Sequence, residues 1–169
     1  PVLFGCLRAL RKKVQMYNYK TVLLTGATGT VGSAVRDFEA QKGVHLTLMK
    51  ATRSIEKAKE VDFRYLDLLD PSSFPRALED IDIVFLLRPP QISRSSVFDP
   101  FIQQARESGV KLIVFLSVQG ADKSNIIPHH GIEKSLRASG IPYTFLRPAY
   151  FMQNLTGNLK ADIVEKDEI

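Results

Sequence analysis

The sequence predicts a doubly wound α/β fold, a parallel sheet with helices on both faces and strand order 3-2-1-4-5-6. Two observations carry this. Short apolar runs rich in β-branched residues alternate along the chain with amphipathic stretches of helical period. Such alternation leads to right-handed crossovers and parallel pairing. The runs are also continuously apolar, the pattern of strands buried on both faces.

The elements follow in order. Strands are expected at residues 21–25, 46–49, 81–87, 112–116 and 144–146, with a shorter one at 63–66. The first helix, 32–42, stops at Gly43. The second, 71–78, has Asp70 as its N-cap and Pro71 at the first position, where a missing N–H costs nothing. The third and fourth, 98–108 and 132–139, stop at Gly109 and Gly140. The Pro-rich RPPQ at 88–91 is a loop after a strand.

Composition sets the outer limits. With 169 residues, 44% hydrophobic and 24% charged, the chain suits one compact domain with a sizeable core. No apolar run approaches the roughly 20 residues of a membrane-spanning helix, so no membrane role is expected. Five of the 23 basic residues lie in the first 20 positions without an acid, and the remaining 18 are matched by 18 acids. The net charge of +5 is therefore that of the first 20 positions, the rest is neutral, and nucleic-acid binding is not expected. The leader, residues 1–19, puts its apolar residues before its basic ones, the reverse of a secretory signal. It reads as an N-terminal extension or tail, with a short amphipathic helix as the alternative, ahead of a nucleotide-binding domain at 20–169. A single cysteine, Cys6, makes no internal disulfide and points to a cytoplasmic setting. The glycosylation-type tripeptide at 154–156 has no other support.

The first apolar run ends in Gly26-Ala27-Thr28-Gly29-Thr30-Val31-Gly32. In a doubly wound sheet this turn lies at the switch point, where backbone amides and a helix N-terminus receive a pyrophosphate. Gly26 permits the tight turn, Gly29 lets the backbone approach phosphates, and Gly32 lets helix and strand pack closely. Dinucleotide binding is the function these residues predict.

The G-x-x-G-x-x-G spacing resembles the short-chain dehydrogenase/reductase superfamily, and TGATGTVG resembles its atypical, NmrA-like branch. FLSVQGA at 115–121 and IEKSLRASGIPYTFLRPAYFMQN at 132–154 resemble the same branch. The resemblance implies a Rossmann fold that binds NAD(P), in a branch containing both reductases of quinone-like compounds and non-catalytic redox sensors. It further implies adenine contact at Asp67, adenosine ribose and phosphate contacts at Leu86, Leu87 and Arg88, and a nicotinamide site at Pro148, Ala149 and Tyr150. An Asp at position 67 also suits a cap for the next segment.

The second strand bears on nucleotide choice. NAD sites end it with an acid on the ribose hydroxyls, whereas NADP sites offer Arg to the 2′-phosphate. Here it ends Lys50-Ala51-Thr52-Arg53-Ser54, without an acid. NADP(H) is expected over NAD(H), with Arg53 as the phosphate ligand helped by Thr52 and by Lys50 or Lys57. The spacing leaves open whether Lys50 or Arg53 takes the place.

Catalytic residues are less defined. Superfamily members carry Tyr and Lys four apart on one helix, and alignment by the resemblance puts Asn125 and His129 at those places. His129 is a candidate beside the nicotinamide ribose, with Glu133 one turn on to orient or charge its ring. His130 and Lys134 mimic the spacing in another register. Ser117 matches the superfamily's active-site Ser or Thr and is a candidate donor to a substrate carbonyl.

The family continues past LRPAYFMQN into a small substrate-enclosing lobe, and this sequence ends before it. Two functions are expected: an NADPH-dependent reductase of a quinone or other small carbonyl acceptor, or an NADP(H)-sensing module with a regulatory protein partner. Self-association is expected of the uncovered sixth strand.

Overall fold

The structure, a computed structural model, describes residues 21–42 and 46–149. The leader with Cys6, Gly43, Tyr150, Phe151, Met152 and the tripeptide at 154–156 lie outside the described residues.

Six strands form one sheet: β1 Thr21–Leu24, β2 Thr47–Thr52, β3 Phe63–Tyr65, β4 Ile83–Leu87, β5 Leu112–Leu116 and β6 Tyr143–Leu146. Their order is 3-2-1-4-5-6, and every neighbouring pair is parallel. The chain runs outward from β1 to β3 and then returns to β4, so the switch point lies between β1 and β4. Four α-helices accompany the sheet: α1 Thr30–Lys42, α2 Phe74–Ala77, α3 Asp99–Glu107 and α4 Pro128–Ala138.

Successive side chains of a strand point to opposite faces, and both faces are covered. Leu23, Met49, Val84, Leu86, Ile113 and Phe115 face Phe74 of α2, Phe101 of α3, and Ile132 and Leu136 of α4. The alternating set, Val22, Leu24, Ile83, Phe85, Leu112 and Val114, faces Val31 and Val35 of α1. This double burial explains the unbroken apolar runs.

Several element ends differ from expectation. Strand β2 runs on to Thr52, because Lys50, Ala51 and Thr52 pair with Phe63, Arg64 and Tyr65 of β3. Lys50 is tolerated there by an ion pair with Asp62 and by its position over the Phe63 ring, 4.8 Å from the centroid. The expected helix at 71–78 divides into a 3₁₀ turn, Pro71–Ser73, and the single turn α2. Pro75 lies within it and lacks the N–H that a longer helix would use. Asp70 caps this segment, accepting from the Ser72 amide at 3.1 Å. Helix α4 begins one turn early, with Pro128 in its first turn. Gly109 and Gly140 end α3 and α4 with φ of +76° and +77°. Among the described residues no helix is long and apolar enough to cross a membrane.

Candidate functional site

The site begins where β1 ends. The Thr25 hydroxyl donates to the Phe85 carbonyl at 3.0 Å and accepts from the Leu87 amide at 2.7 Å. This buried side chain ties the ends of β1 and β4 together at the switch point. Gly26 follows with φ +65°, a left-handed turn that other residues adopt only with strain. The Gly29 amide closes the turn on the Gly26 carbonyl at 3.0 Å, and the Ser33 amide starts α1 on the Gly29 carbonyl at 2.8 Å.

The other two glycines differ physically. A Cβ on Gly32 would lie 2.1 Å from the Gly26 carbonyl oxygen and 2.8 Å from the Ala27 Cα, so helix and turn touch backbone to backbone. A Cβ on Gly29 would meet only the Gly26 oxygen, at 3.4 Å, and is otherwise in open space. Thr30 and Val31 open α1, whose first amides lack intrahelical acceptors and attract anions.

Over this turn lies a cleft of about 900 Å³. Gly26, Thr28 and Gly29 form its floor, Thr52, Arg53, Ser54 and Lys57 one side, Asp67 and Leu69 a corner, and 87–94 the opposite wall. Lys50 is not among its lining residues, being held by Asp62. Arg53, the first residue after β2, is exposed at the cleft. Thr52 accepts from the Ser54 amide at 3.1 Å, which leaves its own hydroxyl hydrogen available. Asp67 turns the chain by accepting from the Leu69 amide at 3.0 Å, while the cap is Asp70. An open space over Gly29, a helix N-terminus and the cations Arg53 and Lys57 after β2 fit a dinucleotide's phosphates.

Not every expected residue gathers here. Leu86 is fully buried in the core, whereas Leu87 and Arg88 line the cleft. Ser117, His129 and Pro148 lie outside its lining. The Pro148 carbonyl accepts from the Gln119 amide at 3.0 Å, continuing the β5–β6 pairing. Asn125 is exposed in the turn before α4.

Glu133 does not orient His129. Its fully buried carboxylate accepts from Ser117 Oγ at 2.7 Å, from Arg147 Nε and Nη2 at 2.8 and 2.6 Å, and from Arg137 Nη2 at 3.0 Å. Burial alone pushes this carboxyl's pKa up, but the bonds from Arg147 and Ser117 and the charges of Arg147 and Arg137 hold it below the ordinary value. The Ser117 hydroxyl hydrogen is thus committed within the protein. His129 instead meets Arg88, whose Nε donates to its Nε2 at 3.4 Å. Burial first, and then the Arg88 charge, lower the imidazole pKa against a weaker pull from Glu133. His130 Nδ1 lies 2.8 Å from the Ala121 carbonyl and is a separate contact.

Sequence reasoning missed Thr25, Leu69 and most of the 89–94 wall. An Arg-Pro-Pro run directly after a strand at the switch point was the available signal for the wall.

Known proteins resemble this chain in sequence and in fold. The chain is 30% identical over 151 residues to prestalk A differentiation protein A of Dictyostelium discoideum, covering 85% of this chain and 49% of that protein. It is 31% identical over 157 residues to an NAD(P)H azoreductase of Xenophilus azovorans, covering 87% and 54%. The Escherichia coli NADPH-dependent quinone oxidoreductase, solved with NADPH, superposes with a TM-score of 0.71 at 27% identity, over 83% of this chain and 53% of that one. The chain spans about half the length of the curated relatives it matches. Residues 26–168 match the family described as NAD(P)H-binding, and with its glycine turn, sheet order and relatives the chain belongs to that family, in its NmrA-like, atypical short-chain dehydrogenase/reductase branch.

Proposed function

We propose that the protein is an NADPH-dependent oxidoreductase acting on a quinone or similar small carbonyl acceptor. The observation that carries this reading is a single cleft bounded by the Gly26–Gly29 turn on one side and by Arg53 on the other. The amides of the turn and of the first turn of α1 hold the pyrophosphate, and Arg53, with Thr52 and Lys57, holds a 2′-phosphate. The reduced nicotinamide supplies hydride when bound. Asp67 and Leu69 bound the adenine end. A quinone needs less general-acid help than a ketone, which suits a chain with Asn125 and His129 in place of Tyr and Lys. A relative named as a quinone oxidoreductase and another named as an azoreductase support this substrate range.

The test is calorimetric titration with NADP(H) and NAD(H), followed by NADPH consumption against a panel of quinones. Turnover supports the enzyme. Tight NADP(H) binding without turnover supports a second reading, an NADP(H) sensor for a protein partner. The commitment of the Ser117 hydrogen to Glu133 favours that reading, since it removes a donor from the substrate side.

A further inference from the structure

The wall formed by 87–94 has a backbone bond from the Ile92 amide to the Pro89 carbonyl at 3.0 Å, and one side chain gathers the loop around it. Arg88 Nη1 donates to the Ile92 carbonyl at 2.6 Å and to the Pro89 and Pro90 carbonyls at 3.3 and 3.4 Å, folding the loop onto its own guanidinium. On the other edge, Arg88 Nε donates to His129 Nε2. An imidazole nitrogen accepts only when it carries no hydrogen, so this bond requires a neutral ring with its hydrogen on Nδ1. That Nδ1 is shielded from solvent and meets no partner. The ring lies against Phe115, centroids 5.8 Å apart.

We propose that His129 is a positioning residue, a neutral imidazole that accepts the Arg88 Nε hydrogen and so holds the 88–92 wall of the nucleotide cleft in place. Protonation of His129 turns the acceptor into a second donor and sets a cation against Arg88, which releases the latch. Among the described residues, the charged groups acting on the ring are Arg88 from the loop after β4 and Glu133 from its own helix; β5 faces it with Phe115. Glu133 already serves two arginines and Ser117, so its pull on the ring is the weaker one.

The proposal rests on the nucleotide reading of the cleft, and its test separates the two. Long-range ¹H–¹⁵N spectra of the nucleotide-free protein should show the Nδ1–H tautomer of His129, titrating below an ordinary histidine. Arg88→Ala should raise that titration point. Affinity is then measured with NAD⁺, which lacks the 2′-phosphate whose own ionisation near about pH 6 would confuse the profile. Wild-type affinity should fall by about three- to tenfold on acidification below the ordinary histidine range, the size of one lost hydrogen bond. His129→Gln, which keeps an acceptor and does not titrate, should restore much of the affinity and give a flat profile. His129→Ala should be flat and weaker at every pH by a similar factor. An Nε2–H tautomer, an unchanged affinity in His129→Ala, or tighter wild-type binding in acid would overturn the proposal. Wild type that binds neither NADP(H) nor NAD⁺ at any pH would remove the cleft's role, and the positioning role with it, while the tautomer is read independently.

Discussion

Ser117 donates its hydroxyl hydrogen to Glu133 Oε1 at 2.7 Å, and the two side chains are 1% and 0% exposed. The same carboxylate holds Arg147 through two bonds and Arg137 through one. Arg147 also reaches Asp122 at 3.4 Å, so the ends of β5 and β6 and the face of α4 are joined by one charge cluster built on a buried carboxylate and reaching solvent through Arg137, Arg147 and Asp122.

Ser117→Ala should therefore act on stability. It removes one of the donors to a buried carboxylate, a loss of about 1–2 kcal/mol. Nucleotide affinity, measured by calorimetry, should stay near wild type because Ser117 does not line the cleft. Glu133→Gln should cost more, about 2–3 kcal/mol, since it replaces the carboxylate that two arginines share and leaves Asp122 as the acid paired with Arg147. A Gln variant melting with wild type would show that the cluster contributes little.

The pH dependence of stability follows from two groups with lowered pKa values. For both, the unfolded chain binds protons before the folded one does as pH falls, so stability drops with falling pH in that window. For His129 the loss begins below its ordinary value of 6.5 and ends at its lower folded value. For Glu133 it begins below 4.5. Melting temperature plotted against pH should show both limbs. His129→Gln should flatten the upper one and Glu133→Gln the lower; a variant keeping its limb would refute that assignment.

Nucleotide choice should depend on Arg53 and not on Lys50. A charge-assisted contact to the 2′-phosphate is worth about 1.5–3 kcal/mol, so Arg53→Ala should weaken NADP(H) roughly ten- to a hundredfold and leave NAD(H) nearly level. Lys50→Ala should break the partly exposed pair with Asp62, cost within about 1 kcal/mol of stability, and leave the ratio of the two nucleotides unchanged. Equal loss of both nucleotides in Arg53→Ala would show that Arg53 does not read the 2′-phosphate.

The glycine turn predicts two contrasting variants. Gly32→Ala would place a methyl 2.1 Å from a backbone oxygen, so the turn must open, costing about 1–3 kcal/mol or more. Gly29→Val meets ordinary contact distances and should fold normally, yet weaken NADP(H) and NAD(H) alike by filling the space over the turn. Normal melting of Gly32→Ala, or full nucleotide affinity in Gly29→Val, would contradict this geometry.

The sheet order, the turn after β1 and the missing acid at the end of β2 were all legible in the sequence. Apolar runs, glycine spacing and helix stops at Gly109 and Gly140 are local signals, each set by a few neighbouring residues. The tertiary structure decided matters of allegiance. Spacing alone puts Glu133 one helical turn from His129, but Arg147, 14 positions on, and Ser117, 16 positions back, take the carboxylate. Two guanidinium groups bind a buried carboxylate more strongly than a neutral imidazole can. In the same way Asp62 takes Lys50 away from the cleft, and Arg88 reaches His129 across 41 residues. Each contact joins side chains brought together only when separate strands close into the sheet, so no local periodicity records it.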